Sequence, residues 1–371
     1  MTRSTVRLFL ALAAFLVLIV PTTAQAQVTP AAGYTPPDDS QSVKVGATIF
    51  WDYTYTKTPK VTDAANNSIS PSSFNVGRTY INVTGNLSHN VQFRITPDIT
   101  RVSGTGTSLN GSYGFRLKYG YAQFNVDSSN WKQTWIRAGQ QQTTFVDTEE
   151  GIYRYRFQGS IFADRDAGVS SSDIGVSFHT TLPSNYGDIH VGLYNGEGYA
   201  KPEANDQKSL QGRITLRPFA KGSLVARGLR VGIYANRDKT VKGADRNKWI
   251  AHAFFEHTRF NAGFDYLRGE DQTLPTSSVA KSDGYTAWVT PFFQKKGDGL
   301  EGLVRYDSYR TNRTIDARRN RTIAGLAYWF PHPGGNGTAA ILLDYEQVSF
   351  ANYTTAQAKQ QRVTLHGLIN F

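Results

Sequence analysis

Positive charge recurs at alternate positions in many of the apolar runs of this sequence. Lys44, Arg94, Arg116, Lys118, Arg137, Arg213, Arg217, Arg230, Arg305 and Arg362 share a parity opposite to that of their aliphatic and aromatic neighbours, and Arg78 joins them across a slip in its own run. In a β-strand, alternate side chains leave on opposite faces, so this spacing makes one face apolar and the other basic. A basic face inside a water-filled space attracts anions, as acidic rings attract cations. Fewer acids share the parity: Asp52, Asp173, Asp265, Glu301, Asp307, Asp344 and Glu346. The basic members crowd the first two thirds of the chain and the acids the last third, which implies a transverse field across any enclosed space.

Catalytic chemistry has little to work with. Histidines stand at 89, 179, 190, 252, 257, 332 and 366, none in a metal-binding H-E-x-x-H spacing. His252 and His257 fall on a strand and a turn and do not converge on one ion. His179 and His190 flank a hairpin and can approach each other, yet no serine–histidine–acid set is recognisable. There is no cysteine, hence no thiolate nucleophile, no cysteine metal site and no disulfide. Asn195-Gly-Glu-Gly reads as a turn, with no helix behind it to cradle a phosphate. No cofactor and no enzymatic step are expected.

The elements that must position the charges read as strands throughout. About sixteen runs carry period-two alternation, from Val43–Tyr55 and Phe74–Val83 through to Ala339–Tyr345 and the closing Val363–Phe371. No helical period of any length is visible. Short connections rich in Gly, Asn, Asp, Ser and Pro (86–90, 127–130, 183–187, 257–259, 295–299, 331–337) alternate with longer polar ones (56–73, 101–112, 142–172, 195–208, 236–248, 268–284, 308–321, 350–361). Aromatics at Trp51, Tyr53, Tyr55, Tyr113, Phe115, Tyr119, Tyr121, Phe264, Tyr266, Tyr285, Trp329, Tyr345 and Phe371 share the apolar parity and cluster near strand ends, as lipid-facing girdles do.

These features predict an all-β chain: a single transmembrane antiparallel β-barrel of about 16 strands over 43–371, with short periplasmic turns and long extracellular loops. A barrel reconciles that with a mean hydropathy of −0.41, because only alternate residues face lipid. Residues 1–26 read as a secretory signal peptide: Arg3 and Arg7, an apolar run from Leu8 to Val20, then Ala24-Gln25-Ala26. A polar lead, 27–42, would follow on the periplasmic side. The formal charge of +11 loses Arg3 and Arg7 with the leader. The remaining basic residues are scattered singly, which argues against nucleic acid as a partner.

The terminal strand ending on Phe371 resembles the C-terminal signature of bacterial outer-membrane barrels, where a final aromatic is an assembly signal read by the barrel-assembly machinery. Residues 74–98, and Asn195-Gly-Glu-Gly followed by 212–219, resemble the phosphate-selective porin O and P family. That resemblance implies a homotrimer of sixteen-stranded barrels in outer-membrane lipid, an arginine-lined path, and a third outer loop folded inward. By that likeness 142–172 is the candidate constriction loop, with Asp147, Glu149, Glu150, Arg154, Arg156 and Arg165 as its candidates. The segment holds arginine but no lysine, unlike the family's lysine cluster. The expected function is passive diffusion of small hydrophilic solutes and ions with a modest anion preference. A phosphate- or oxyanion-selective porin, and a non-conducting barrel serving as adhesin or hydrolase, remain as alternatives.

Overall fold

The computed structural model describes residues 41–104, 108–128, 131–223, 225–331 and 337–371. The expected leader (1–26) and all but the last two residues of the lead (27–42) lie outside the described residues. Sixteen long strands form one closed antiparallel sheet: β1 Ser42–Thr58, β2 Ser72–Ser88, β3 Val91–Arg101, β4 Tyr113–Asn125, β5 Lys132–Gln142, β6 Ser172–Thr181, β7 Gly187–Tyr194 and β8 Ser209–Leu216. Then come β9 Leu229–Arg237, β10 Ala244–Glu256, β11 Phe260–Asp271, β12 Ala280–Pro291, β13 Gly299–Asn312, β14 Ala317–Trp329, β15 Thr338–Ala351 and β16 Gln360–Asn370. Each pairs with its chain neighbour, and a short strand at Lys239–Val241 pairs with the start of β10. No described helix is long and apolar enough to cross a membrane.

Closure is made by β1, which pairs with β2 on one side and β16 on the other. Closing the sheet removes the row of unpaired backbone groups that an edge would expose to lipid. The seam runs to the last residue: the Phe371 N–H donates to Ala47 O at 3.0 Å, and the Ala47 N–H donates back to Phe371 O at 2.9 Å. Trp51 stands opposite Gly367, and a Cβ at Gly367 would lie 2.0 Å from the indole Cε2. Glycine there lets the ring lie over the seam.

Two bulges decide which side chains face inward. Gly77 is extra on β2 opposite Phe50 and Trp51. The inward set switches there, so that Phe74 and Val76 point out while Arg78 and Tyr80 point in. On β4, Lys118 is extra, because Thr96 faces Tyr119 and Pro97 faces Leu117. Proline has no N–H to give the ladder and is tolerated in a strand at such a bulge. The consequence corrects two expectations: Tyr119 and Tyr121 are buried inside rather than presented to lipid, whereas Leu117 and Phe124 are exposed. Trp329 is also buried inside, and its neighbours Tyr328 and Phe330 take the outer face. Three consecutive aromatics give period two nothing to choose between.

Several strands outrun their apolar patterns. β13 continues to Asn312 and β14 resumes at Ala317, so the long polar connection expected at 308–321 shrinks to 313–316. There the ladder is carried by charged pairs, such as Arg310 with Asp283 at 2.7 Å, so alternation of polarity fades while the backbone pairing goes on. Conversely, 217–228, between β8 and β9, holds a 3-10 turn at Ala226–Gly228 on the side of the otherwise short turns.

Candidate functional site

Residues 143–171 do not sit on the barrel rim. They carry two helices, α1 (Val146–Tyr153) and α2 (Phe162–Arg165), and a row of buried aromatics that meets inward side chains of distant strands. Phe145 packs on Tyr234 of β9 (5.3 Å between ring centroids), Tyr153 on Trp288 of β12 (5.2 Å), Tyr155 on Trp329 of β14 (5.8 Å) and Phe162 on Tyr309 of β13 (5.8 Å). Polar anchors accompany them. Asn261 Nδ2 donates to Ile152 O at 2.8 Å, and Trp288 Nε1 to Glu149 Oε1 at 3.0 Å. The segment therefore enters the interior from β5 and lies against the inner face of β9–β15. Eight residues, little more than two turns of helix, are too few to show a period in sequence, which is why α1 was invisible there. Arg154 ends α1 in the left-handed region at φ 67°; it is held by Glu301 at 3.1 Å and by the Trp329 ring 4.2 Å beneath its guanidinium.

Behind the segment the charges are paired. Arg305 is 1% exposed, ion-paired to Asp307 at 2.8 Å, and donates to Ser160 O at 2.9 Å. Glu346 receives Arg165 (2.9 Å), Arg321 (3.3 Å) and Arg362 (2.8 Å), and Asp166 receives Arg319 (2.7 Å) and Arg321. Arg305 therefore departs from its expected place: it is packed under residue 160 and does not face an open lumen. Arg165 is likewise an anchor of the segment to β15.

The facing wall, β2–β5, differs. Arg78 and Arg116 share the single buried carboxylate of Asp98, at 2.5 and 2.8 Å. Arg94 is held by neutral groups: Thr96 Oγ1 at 3.0 Å, Asn82 Oδ1 at 2.8 Å, and the Tyr119 ring 4.5 Å from its guanidinium. Lys118 is 4% exposed, with its ammonium 4.9 Å from the Tyr80 ring centroid and 5.4 Å from that of Tyr119. Arg137 donates to Gln123 (2.8 Å) and Gln142 (2.9 Å) and lies 3.9 Å from the Trp135 ring centroid. Among the described residues, none of these three has a carboxylate ion-pair partner.

The remaining expected residues are spread along the barrel. Lys44 is exposed near the start of β1. Arg217 lies just past β8 and donates to Arg227 O at 3.3 Å. Arg230 pairs with Glu256, and Arg213 with Asp188. Arg156 meets Glu150 at 2.8 Å, and the Tyr119 hydroxyl reaches Asp147 Oδ1 at 3.4 Å, so both acids face the basic wall from α1. Burial pushes the Glu150 carboxyl up to about 7, against the pull of Arg156 and Lys118. Burial also raises Asp147, opposed by Lys118, Arg94 and Arg137. Glu149 is raised by burial as well. Asp98, Tyr199 and Arg321 belong to this machinery and were missed in sequence. Asp98 shares parity with Arg94, the one signal that could have found it.

No protein-family model and no curated protein matches this sequence. Solved structures do. An anion-selective porin from Comamonas acidovorans aligns with a TM-score of 0.62 at 13% identity, over 90% of this chain and 100% of that one. The outer-membrane channel DcaP of Acinetobacter baumannii aligns at 0.56 and 14%, over 89% and 97%. OmpT, an outer-membrane protein of Vibrio cholerae, aligns in its trimer form at 0.55 and 12%, over 90% and 100%. The fold is that of the sixteen-stranded outer-membrane porins. The narrower resemblance to the phosphate-selective O and P family finds no support among these matches.

Proposed function

We propose that this barrel is an outer-membrane porin that passes small hydrophilic solutes and ions with a modest preference for anions. The observation that carries the reading is the cluster of Arg94, Lys118 and Arg137, three inward cations on neighbouring strands held by amides, hydroxyls and rings instead of carboxylates. A cation with no carboxylate at ion-pair distance keeps part of its charge uncompensated and raises the local concentration of mobile anions. The inserted segment narrows the space facing this wall and sets Asp147 and Glu150 opposite it, which keeps the preference modest. No chemical step is needed. The likeness in fold to an anion-selective porin and to a trimeric outer-membrane protein supports the same reading, with a homotrimer as its assembly.

The test is a planar bilayer holding the purified protein between unequal potassium chloride solutions. Stepwise conductance and a reversal potential of anion-selective sign are expected. Replacing Arg94, Lys118 and Arg137 together by Gln moves that potential toward zero. Absence of conductance overturns the porin reading; an unmoved potential overturns the role of these three residues. Deleting Phe371 tests the assembly signal, with less folded protein in the outer membrane as the expected outcome.

A further inference from the structure

Beside the basic wall lies a recess of about 40 Å³ between β5, β6, β7 and the start of the inserted segment. That is room for about three waters, or for one small planar anion. Arg137 and Arg213 line it, with Trp135, His179, His190 and Asp147. His179 and His190 are direct cross-strand partners, their rings 5.8 Å apart. Trp135 stacks on His179 at 4.9 Å and meets the edge of His190 at 5.1 Å, so the rings are fixed.

The hydrogen-bonding account of this recess does not close. Gln142 Oε1 is taken by Arg137, but Gln142 Nε2 is buried without a partner. His190 Nε2 is buried without a partner as well. Arg137 uses Nε and Nη1 on the two glutamines. Buried donors left unpaired are costly, and in native structures they point to a ligand or water. His179 Nδ1 donates to the Gln133 carbonyl at 2.8 Å, while its Nε2, 3.5 Å from Asp188, is also buried without a hydrogen-bond partner. Arg213 is likewise engaged with Asp188. Asp147 is the one acid lining the recess, and Lys118 and Arg94 draw on its charge from the other side.

We infer that this recess is a binding subsite for a small carboxylate, held by Arg137, Gln142 and His190. A carboxylate offers only acceptors, in a plane, which matches a guanidinium, an amide and an imidazole N–H. The inference rests on the anion-preferring reading above and goes further: it places a residence site beside the path, where conduction alone needs none.

The experiment uses the full-length protein in a bilayer, with sodium acetate added to a constant chloride background. Acetate is expected to reduce chloride current saturably. His190→Gln and Gln142→Leu, each checked for folding by the heat-dependent gel shift, should raise the half-blocking concentration roughly tenfold, as loss of a charge-assisted hydrogen bond does. Calorimetric titration of the detergent-solubilised protein with acetate should show the same order of affinities. No saturable effect, or equal block in wild type and both variants, overturns the subsite. Inorganic phosphate blocking as well as acetate overturns the assignment to carboxylates. Conductance and reversal potential measured without acetate report on the porin reading separately.

Discussion

On β13–β15, Arg305, Arg310 and Arg321 each meet a carboxylate; on β3–β5, Arg94, Lys118 and Arg137 meet amides, hydroxyls and aromatic rings. All six side chains are cations and the consequences differ. A buried arginine against a carboxylate cancels its field locally and fixes geometry, and here it ties the inserted segment to the barrel. A cation held by neutral partners keeps its field. In surroundings of effective dielectric near 20, a unit charge 4 Å away interacts by about 4 kcal/mol, enough to shape ion occupancy. On the proposed reading, one wall anchors the inserted segment and the other attracts anions.

The largest expected effect comes from breaking the anchoring wall. Glu346→Gln removes the shared acceptor of Arg165, Arg321 and Arg362 and leaves buried positive charge unpaired. Breaking such a pair costs on the order of 3–5 kcal/mol when fully buried. Arg362 is more than a third exposed, so the lower end is expected here. The guanidinium unfolding midpoint should fall accordingly, and single-channel current should become noisier as residues 143–171 loosen. An unchanged midpoint would mean that the segment is held by its aromatics alone.

A smaller effect separates the walls directly. Lys118→Gln and Arg362→Gln each remove one positive charge. Lys118→Gln should shift the reversal potential clearly further toward zero, because Arg362 is already offset by Glu346. Equal shifts would show that net charge matters and pairing does not.

The sequence made the scaffold plain and the pairing obscure. Period-two alternation is a property of one strand, so all sixteen could be counted, and the seam at Phe371 followed from a pattern that runs to the chain end. Inward direction was also legible wherever alternation was unbroken, as at Arg94 and Arg137. It failed where one residue was inserted: the parity slip at Gly77 is visible from Arg78, but Lys118 and Tyr119 both turn inward only because Pro97 on the neighbouring strand forces a bulge. Charge partnership is a relation across strands and through an inserted segment. Nothing in the local sequence of Arg305 says that it ends beneath Ser160, or that Arg137 finds glutamines where Arg321 finds acids.

Acidity should tune the contrast. Glu150 sits on α1 facing the basic wall, with its carboxyl pushed up to about 7 by burial. Protonation as pH falls through that value removes a negative charge opposite Lys118. Anion preference should therefore rise between roughly pH 8 and pH 6, and Glu150→Gln should hold the higher preference across the range. Asp147, also raised by burial, adds to the same trend in wild type, so the variant isolates the contribution of Glu150. A wild-type reversal potential that is flat with pH, or a variant that still follows wild type, would remove Glu150 from the path.

The smallest effect belongs to an intermediate case. Arg78 and Arg116 share Asp98, so two positive charges meet one negative, and the Tyr199 hydroxyl accepts from both guanidinium groups at 3.0 Å. Tyr199 comes from 195–208, so this is the second connection that reaches inward. Tyr199→Phe keeps the ring beside Arg116, at 4.8 Å, and removes a neutral hydroxyl that accepts from both arginines and donates to Asp98 Oδ2 at 3.5 Å. A hydrogen bond to a charged group contributes about 1.5–3 kcal/mol, and exchange with water in a wet lumen recovers most of it. The unfolding midpoint should barely move, and the reversal potential should stay fixed, because no charge is gained or lost and Asp98 still holds both arginines. A shift as large as that of Lys118→Gln would mean that Tyr199 controls whether Arg78 and Arg116 face the path at all. Pairing with Asp98 would then not be what decides a cation's reach on this wall.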